Sequence, residues 1–529
     1  MKHNSNIPVM KTIKYTCIIL ITVASFFLYS CEDILNTELK GSYTTETFFV
    51  SEENAVLSVN AAYRPLSFAT DGAEIWVVGD TRSDDAIKGG DAGDKADAGD
   101  IDEFIENTNN GVVAALWNNY YEGITRCNYA IVNIGIMGSE IIDSDIQSRL
   151  IAEAKFLRAY YYFLLINIYG DVPLLLEPKL TSELQIAPST VSEIYAQIEK
   201  DCDEAQEVLP VSYPATDVGR ATKGAAIALL AKSYLYREMW SDAYETALLL
   251  TQSPYTYALM PNYQHNFNVN YENNTESVFE VQHLSHQNPF SGNLLNQVFA
   301  VPADYGMGEG YYFNLPTQDF VDEFETVTIG ETVYADPRLD YSLGRENAQL
   351  PWIDEGITYS SQWTETGYCV KKHLQPISEV PGNTKGDGDL NYTAIRYADV
   401  LLWIAEAYNE DGNASMALTY LNMIRKRAKE CFQTDENLTN YPDIPAGLLE
   451  DITVTDRNTL RNLIRHERRT ELGFEFHRYF DIMRYGQQYA NSIFEDVEHF
   501  NYEEHRYLPY PQRELDTNYE LRNYNNNSN

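Results

Sequence analysis

The chain is poor in cysteine, in positive charge and in catalytic signatures, and each shortage removes a class of protein. Six cysteines are spread over 529 residues as Cys17, Cys31, Cys127, Cys202, Cys369 and Cys431, with no CxxC pair. That spacing excludes a zinc ribbon and a dense disulfide framework. Lysine and arginine number 38 against 78 aspartates and glutamates, a net charge of −40. So acidic a chain repels polyanions, which argues against nucleic acid and anionic membrane surfaces and favours neutral or cationic partners. No GxSxG, Walker loop, HExxH or dinucleotide-binding glycine loop occurs, so no hydrolase, nucleotidase or oxidoreductase motif is present. With 78 acids, some carboxylate pair always looks suitable for a glycosidase, and acid abundance alone does not make an enzyme.

What the chain has instead is tyrosine, 40 of them. A tyrosine offers a flat apolar face and a hydroxyl, which suits burial and equally suits sugar or peptide binding.

At the N-terminus, Lys2, Lys11 and Lys14 precede an apolar run from Thr16 to Tyr29, and no acid occurs before Glu32. This order of basic, apolar and small residues is that of a secretory signal over 1–30. About 14 apolar residues fall short of the roughly 20 that cross a bilayer as a helix. Leu28-Tyr29-Ser30-Cys31 resembles a lipobox, in which the cut falls before a cysteine that is then acylated; a plain secreted protein is the alternative. More than one acyl chain on Cys31 would meet the requirement for stable anchoring. Without the three lysines the mature chain has 35 basic and 78 acidic residues, a net charge of −43.

Apolar residues at i, i+3 and i+4 predict helices over 111–136, 145–169, 190–209, 219–252, 394–431 and 456–485, so the class is mainly α. Residues 253–393 are richer in Pro, Gly, Asn and Tyr, with short β-like runs such as Ser277 to Gln282, and read as a loop-rich lobe with minor β on a helical base. Ala231, Tyr234, Ala243, Ala247 and Leu250 are matched 174 positions later by Ala405, Tyr408, Ala417, Leu421 and Ile424. Small, aromatic and small residues at that spacing predict two tetratricopeptide-like helix pairs.

Several ordered blocks resemble the SusD/RagB family: WNNYYEGITRCNYAI (Trp117 to Ile131), AEAKFLRAYYYFLLINIYGDVPLL (Ala152 to Leu175), AIRYADVLLWIAEAYNE (Ala394 to Glu410), LNMIRKRA (Leu421 to Ala428), RHERRTELGFEFHRYFDIMRYG (Arg465 to Gly486) and YLPYPQREL (Tyr507 to Leu515). The resemblance implies a tetratricopeptide-like scaffold carrying a variable lobe, divided as 31–252, 253–393 and 394–529 after the signal. It implies an outer-membrane lipoprotein facing the cell exterior. Such a protein binds a glycan, or less often a peptide, and passes it to a SusC-like TonB-dependent transporter; a glycan-cleaving enzyme is a weaker alternative. Glu32 and Asp33, directly after Cys31, resemble the acidic signal that sends such lipoproteins to the outer face.

Read from its own residues, the Arg465 to Gly486 block gives an apolar stripe of Leu472, Phe476, Phe480 and Met483, flanked by Glu475 with Arg478 and Asp481 with Arg484 at i+3. It reads as a buried face with charged edges, not as a site.

Sugar rings present C–H faces that lie on aromatic planes, while Asp, Asn, Arg or Tyr bond their hydroxyls. Trp117, Trp240 and Trp403 lie in helical patterns and read as core. Trp76, Trp352 and Trp363 fall in loop-rich stretches, where they either present a platform or pin the loop. With Tyr305, Tyr311 and Tyr312 of DYGMGEGYYFN they are the candidate ligand-binding residues. In starch-binding members of the family, the loop after an acidic pair supplies a stacking tryptophan. Here Asp84-Asp85 is followed by DAGDKADAGD, which has no aromatic, so starch itself is disfavoured. Asp91, Asp94, Asp97 and Asp100 recur every third residue and would gather oxygen ligands if calcium bound, but they lack the EF-hand spacing, and a flexible acidic loop is the competing reading. No other cofactor is indicated.

Overall fold

Side-chain caps set where the helices of the base begin. In a computed structural model, which describes residues 45–69, 74–287, 290–302, 310–348, 350, 352–354, 356–380, 385–431 and 444–528, the first long helix is α1 (Glu52–Tyr63), which lies outside every predicted stretch. Asn110 accepts from the amides of Val112 and Val113 to open α2 (Gly111–Gly135). Asp143 does the same for α3 (Ser144–Tyr169), which stops at Gly170 with φ +75°. Thr190 and Glu193 form a capping box on α4 (Val191–Val208). Thr222 caps α5 (Lys223–Tyr236), Asn413 caps α8 (Ala414–Glu430) and Asp456 caps α9 (Arg457–Leu472). Each cap satisfies amides that have no partner within the helix.

Three predicted helices are divided. The 219–252 stretch turns at Glu238 (φ +58°) between α5 and α6 (Trp240–Leu248). The 394–431 stretch begins as strand, because Ile395 and Arg396 pair with Phe279 and Ser277, and continues as α7 (Tyr397–Glu410) and α8. The 456–485 stretch breaks between α9 and α10 (Arg478–Arg484), where Phe474 and Phe476 take φ of +63° and +68°. There the backbone bonds outward: the Phe474 carbonyl is 2.6 Å from His373 Nε2, and the Phe476 amide donates to Asp80 at 3.1 Å. Gly473 permits the turn, since a Cβ there would lie 2.3 Å from the Phe320 ring.

The chain divides into two units, Met1–Ser51 and Glu52–Asn529. In the first, the described part is a single turn, Thr45–Phe48, with Phe48 edge-on to Phe49; the signal and Cys31 lie outside the described residues. In the second, α2 packs on α3, α3 on α4, α4 on α5 and α5 on α6, and α7 then packs on α6, α8 and α9. The α5–α6 and α7–α8 pairs are the two predicted repeats. Ala231, Ala243, Ala247, Ala405 and Ala417 are buried between their helices. Tyr408 lies face to face with Tyr244 of the preceding pair, 4.1 Å between centroids, and also stacks on Tyr420 of its own. The protein is mainly α.

The strands are short: β1 (Ala86–Gly89), β2 (Ser277–Val281), β3 (Phe313–Pro316), β4 (Thr326–Ile329), β5 (Thr332–Ala335), β6 (Leu343–Gly344), β7 (Cys369–Val370) and β8 (Tyr392–Arg396). They pair antiparallel as β1–β3, β2–β8, β4–β5 and β6–β7. Pairing of β2 with β8 zips together two points 110 or more residues apart and closes the base of the loop-rich stretch.

Buried charge ties that stretch to the helices. Glu471 of α9 accepts from Arg338 at 3.0 Å, from Arg396 at 2.7 Å and from Arg427. Glu475 accepts from Arg396 and from Lys372, each at 2.8 Å. The expected flanking pair Glu475–Arg478 does not form: Arg478 instead makes a two-pronged pair with Asp84, 2.7 Å on both arms. Asp481 and Arg484 do pair, at 2.8 Å, and the charges are buried rather than at the edges. The acidic pair Asp84-Asp85 is therefore a fastener, with Asp85 held by Arg469 at 2.7 Å.

Candidate functional site

The β6–β7 pair is joined by a long connection, residues 345–368, and its ends are held rigidly. Arg338, just before β6, sits in the Asp336, Glu467 and Glu471 network, and Lys372, just after β7, is bound by Glu475. Loops on such anchors are where binding side chains are commonly presented.

Within the connection, Trp352, Tyr359 and Trp363 form an aromatic cluster. Ring centroids are 5.2 Å apart for Trp352–Tyr359, 5.0 Å for Tyr359–Trp363 and 6.5 Å for Trp352–Trp363, the last two close to edge-on. Gly344 makes room for it, because a Cβ there would lie 2.3 Å from Trp352 Cζ3 and 2.8 Å from Tyr359 Cδ2. Trp352 Nε1 donates to Asp354 at 3.3 Å, and Asp354 accepts from the Ile377 amide at 2.8 Å. Tyr368 donates to Gln318 at 2.6 Å, and Ser361 donates to Glu346 across the connection.

Trp352 and Tyr359 line a cavity of about 250 Å³, whose polar lining includes Arg345, Glu346, Asn347, Thr358 and Lys371, and Trp363 packs edge-on against both rings. Arg345 is paired with Asp340 at 2.6 Å, and Lys371 Nζ donates to the Asp340 carbonyl. Aromatic faces beside fixed amide, hydroxyl and guanidinium groups can stack a sugar ring and bond its hydroxyls. A glycosidase needs two opposed carboxylates, and among the described lining residues Glu346 is the one carboxylate.

A second aromatic edge lies beside it. Tyr311, 46% exposed, and Tyr312 lead into β3. Tyr312 Oη donates to Asp91 Oδ1 at 2.6 Å. That bond, helped by burial, raises the phenol to about 12, so it stays a donor at neutral pH. Glu365, two residues after Trp363, is near enough to Tyr312 to add to the shift, and β7 packs on β3. The two aromatic groups are thus neighbours.

The structure separates the expected residues by environment. Trp76 is no platform: at 2% exposed it is stacked on Phe313 and edge-on to Phe299, because the π-helical turn after it (Val77–Thr81) is itself buried. Trp352, at 5%, is a wall of the cavity rather than an open face. Trp363 is half-buried and Tyr311 open; Tyr305 lies outside the described residues. Trp240, expected in the core, is half-buried and lines a different cavity, whereas Trp117 and Trp403 are core. Tyr359 was missed, although its place four residues before Trp363 in a Tyr- and Trp-bearing loop was a usable signal.

For Asp91, Asp94, Asp97 and Asp100, calcium ligation competes with a flexible acidic loop. Among the described residues no three acids or histidines converge on one point. The loop closes on protein groups instead: Lys88 Nζ donates to the carbonyls of Asp91 and Asp94, and Asp97 and Asp100 go into a short helix, Ala96–Asp102. Cys127, Cys202, Cys369 and Cys431 are buried thiols that form no disulfide among the described residues.

Comparison with known proteins adds to this geometry. Residues 275–528 match the family model described as "SusD family", and residues 92–235 match a second, "Starch-binding associating with outer membrane". SusD-like protein P2 of Formosa agariphila is 28% identical, over 97% of this chain and 99% of its own. A SusD superfamily protein from Bacteroides vulgatus superposes with a TM-score of 0.73 at 26% identity, covering 90% of this chain and 99% of its own. A laminarin-binding SusD-like protein does so with a TM-score of 0.71 at 26% identity, covering 88% and 98%.

Proposed function

Because the chain belongs to the SusD/RagB family, we propose that it is a lipid-anchored glycan-binding protein of the outer membrane. It captures an oligo- or polysaccharide outside the cell and passes it to a SusC-like TonB-dependent transporter. The observation that carries the reading is the Trp352–Tyr359–Trp363 cluster, of which Trp352 and Tyr359 line a cavity with Arg345, Asn347 and Lys371. The laminarin-binding relative points to the same ligand class, and Tyr311 and Tyr312 extend the surface beside it. The protein binds and does not cleave.

A titration of the purified chain against neutral oligosaccharides and oligopeptides, with the products analysed afterwards, tests this. Saturable binding of an uncleaved glycan is expected. Binding of peptides only, or steady cleavage of the glycan, would refute it. Co-purification with a β-barrel transporter in detergent tests the handover.

A further inference from the structure

A cavity of about 570 Å³ lies away from the aromatic cluster, between the start of α9, the end of α7 and the α10 region. Four arginines line it, Arg457, Arg461, Arg465 and Arg484, against three glutamates, Glu238, Glu406 and Glu410. In a chain of net charge −40 this local excess of positive charge runs against the whole. Three of the arginines are answered. Glu406 takes Arg484 at 2.5 and 2.7 Å, and Glu410 is shared by Arg461 at 2.5 Å and Arg457 at 3.1 Å.

Arg465 is different. Its guanidinium stacks on Tyr485 at 3.9 Å and on Tyr489 at 4.6 Å, and no carboxylate pairs with it among the described residues. Its Nε is buried without a hydrogen-bond partner. A buried donor left unmet is unfavourable, and an acceptor brought into the cavity would relieve it. The stacking holds the guanidinium plane in place, so little entropy is lost when it forms a two-pronged bond to a carboxylate or sulfate.

The rest of the lining favours a sugar over a bare anion. Asn462 and Gln488 are exposed amides at the rim, and Trp240 adds an aromatic wall. Amides bond hydroxyls, rings take C–H faces, and the volume suits a mono- or disaccharide. We propose that this arginine cavity is a second ligand site, for a short saccharide carrying a carboxylate or sulfate, with Arg465 as the residue that holds the charged group. The net negative charge of the chain would disfavour long polyanions at the same place.

The test is a calorimetric titration of the purified chain with digalacturonate, its methyl ester, a sulfated galactan disaccharide and inorganic sulfate. At least one of the two acidic disaccharides is expected to bind, at least tenfold tighter than the neutral ester and tighter than sulfate alone. Arg465→Gln should weaken that binding tenfold or more, with the thermal midpoint lowered only slightly, since two stacking contacts but no ion pair are lost. Should Arg465→Gln fold poorly, Gln488→Ala at the exposed rim is expected to weaken binding threefold or more. The proposal fails if neither acidic disaccharide binds, if the ester binds as tightly, if sulfate alone binds as tightly, or if binding is unchanged in the variant that folds.

Discussion

Tyrosine is the residue on which burial and binding compete in this chain. In the helical base burial wins, and the hydroxyls are spent on backbone carbonyls: Tyr161 bonds Ala62 at 2.7 Å, Tyr162 bonds Leu175 at 2.9 Å and Tyr169 bonds Val113 at 2.6 Å. Tyr311, Tyr312 and Tyr359 serve the loop-rich stretch instead. Composition alone could not divide them, because the same ring and hydroxyl suit both settings; the tryptophans divided on the same ground, by which rings their loops reach. At the site, Trp363 is the half-buried member of the cluster. Trp363→Ala is expected to weaken glycan binding at least tenfold, about 1.4 kcal/mol, while Trp363→Phe keeps part of it, both read by titration. Gly344 should tolerate no side chain. Gly344→Ala would push Trp352 and Tyr359 outward, cost about 1–3 kcal/mol of stability in denaturant unfolding, and weaken the same titration.

At the scale of elements, periodicity placed α2, α3 and α4 to within a residue or two, because those helices carry their own caps. It ran α9 and α10 together because their apolar spacing continues through Gly473, and what breaks the helix is tertiary: Phe474 and Phe476 bond to His373 and Asp80 from distant parts of the chain. The same distance hid the ion network, whose partners come from Glu276, Arg338, Lys372, Arg396, Arg427, Glu471 and Glu475. Burial alone would raise the Glu471 carboxyl, but Arg427, Arg396 and Arg338 outweigh it and hold it near 2, against an ordinary value of 4.5. A depressed carboxyl stabilises the fold fully above its unfolded value and progressively less as pH falls through its folded value. Acid unfolding followed by circular dichroism should therefore begin below about pH 4.5 and develop toward pH 2, accompanied by proton uptake. Glu471→Gln would remove one shared carboxylate from Arg338, Arg396 and Arg427, each of which keeps another, and is expected to cost about 1–3 kcal/mol in denaturant unfolding.

For the whole molecule, the proposed function needs both a location and a surface. The location rests on residues 1–33: labelled palmitate should mark the intact protein in cells, and Cys31→Ala should abolish the label and release the protein from the membrane fraction. The surface rests on the 345–368 connection and its neighbour around Tyr312, both held by anchors on the helical base. The helix-pair scaffold and the family were legible in sequence because they are written in local spacing and in ordered blocks; the ligand surface was only partly legible, because it is made by contacts across the fold. The central claim is that this chain holds a neutral glycan on the Trp352–Tyr359–Trp363 cluster without cleaving it. The most direct measurement is titration of the purified chain and of Trp363→Ala with laminari-oligosaccharides and a panel of other neutral glycans, with product analysis. At least one glycan is expected to bind the parent chain intact and to bind the variant at least tenfold more weakly. Equal binding by both, or a cleaved product, would contradict it.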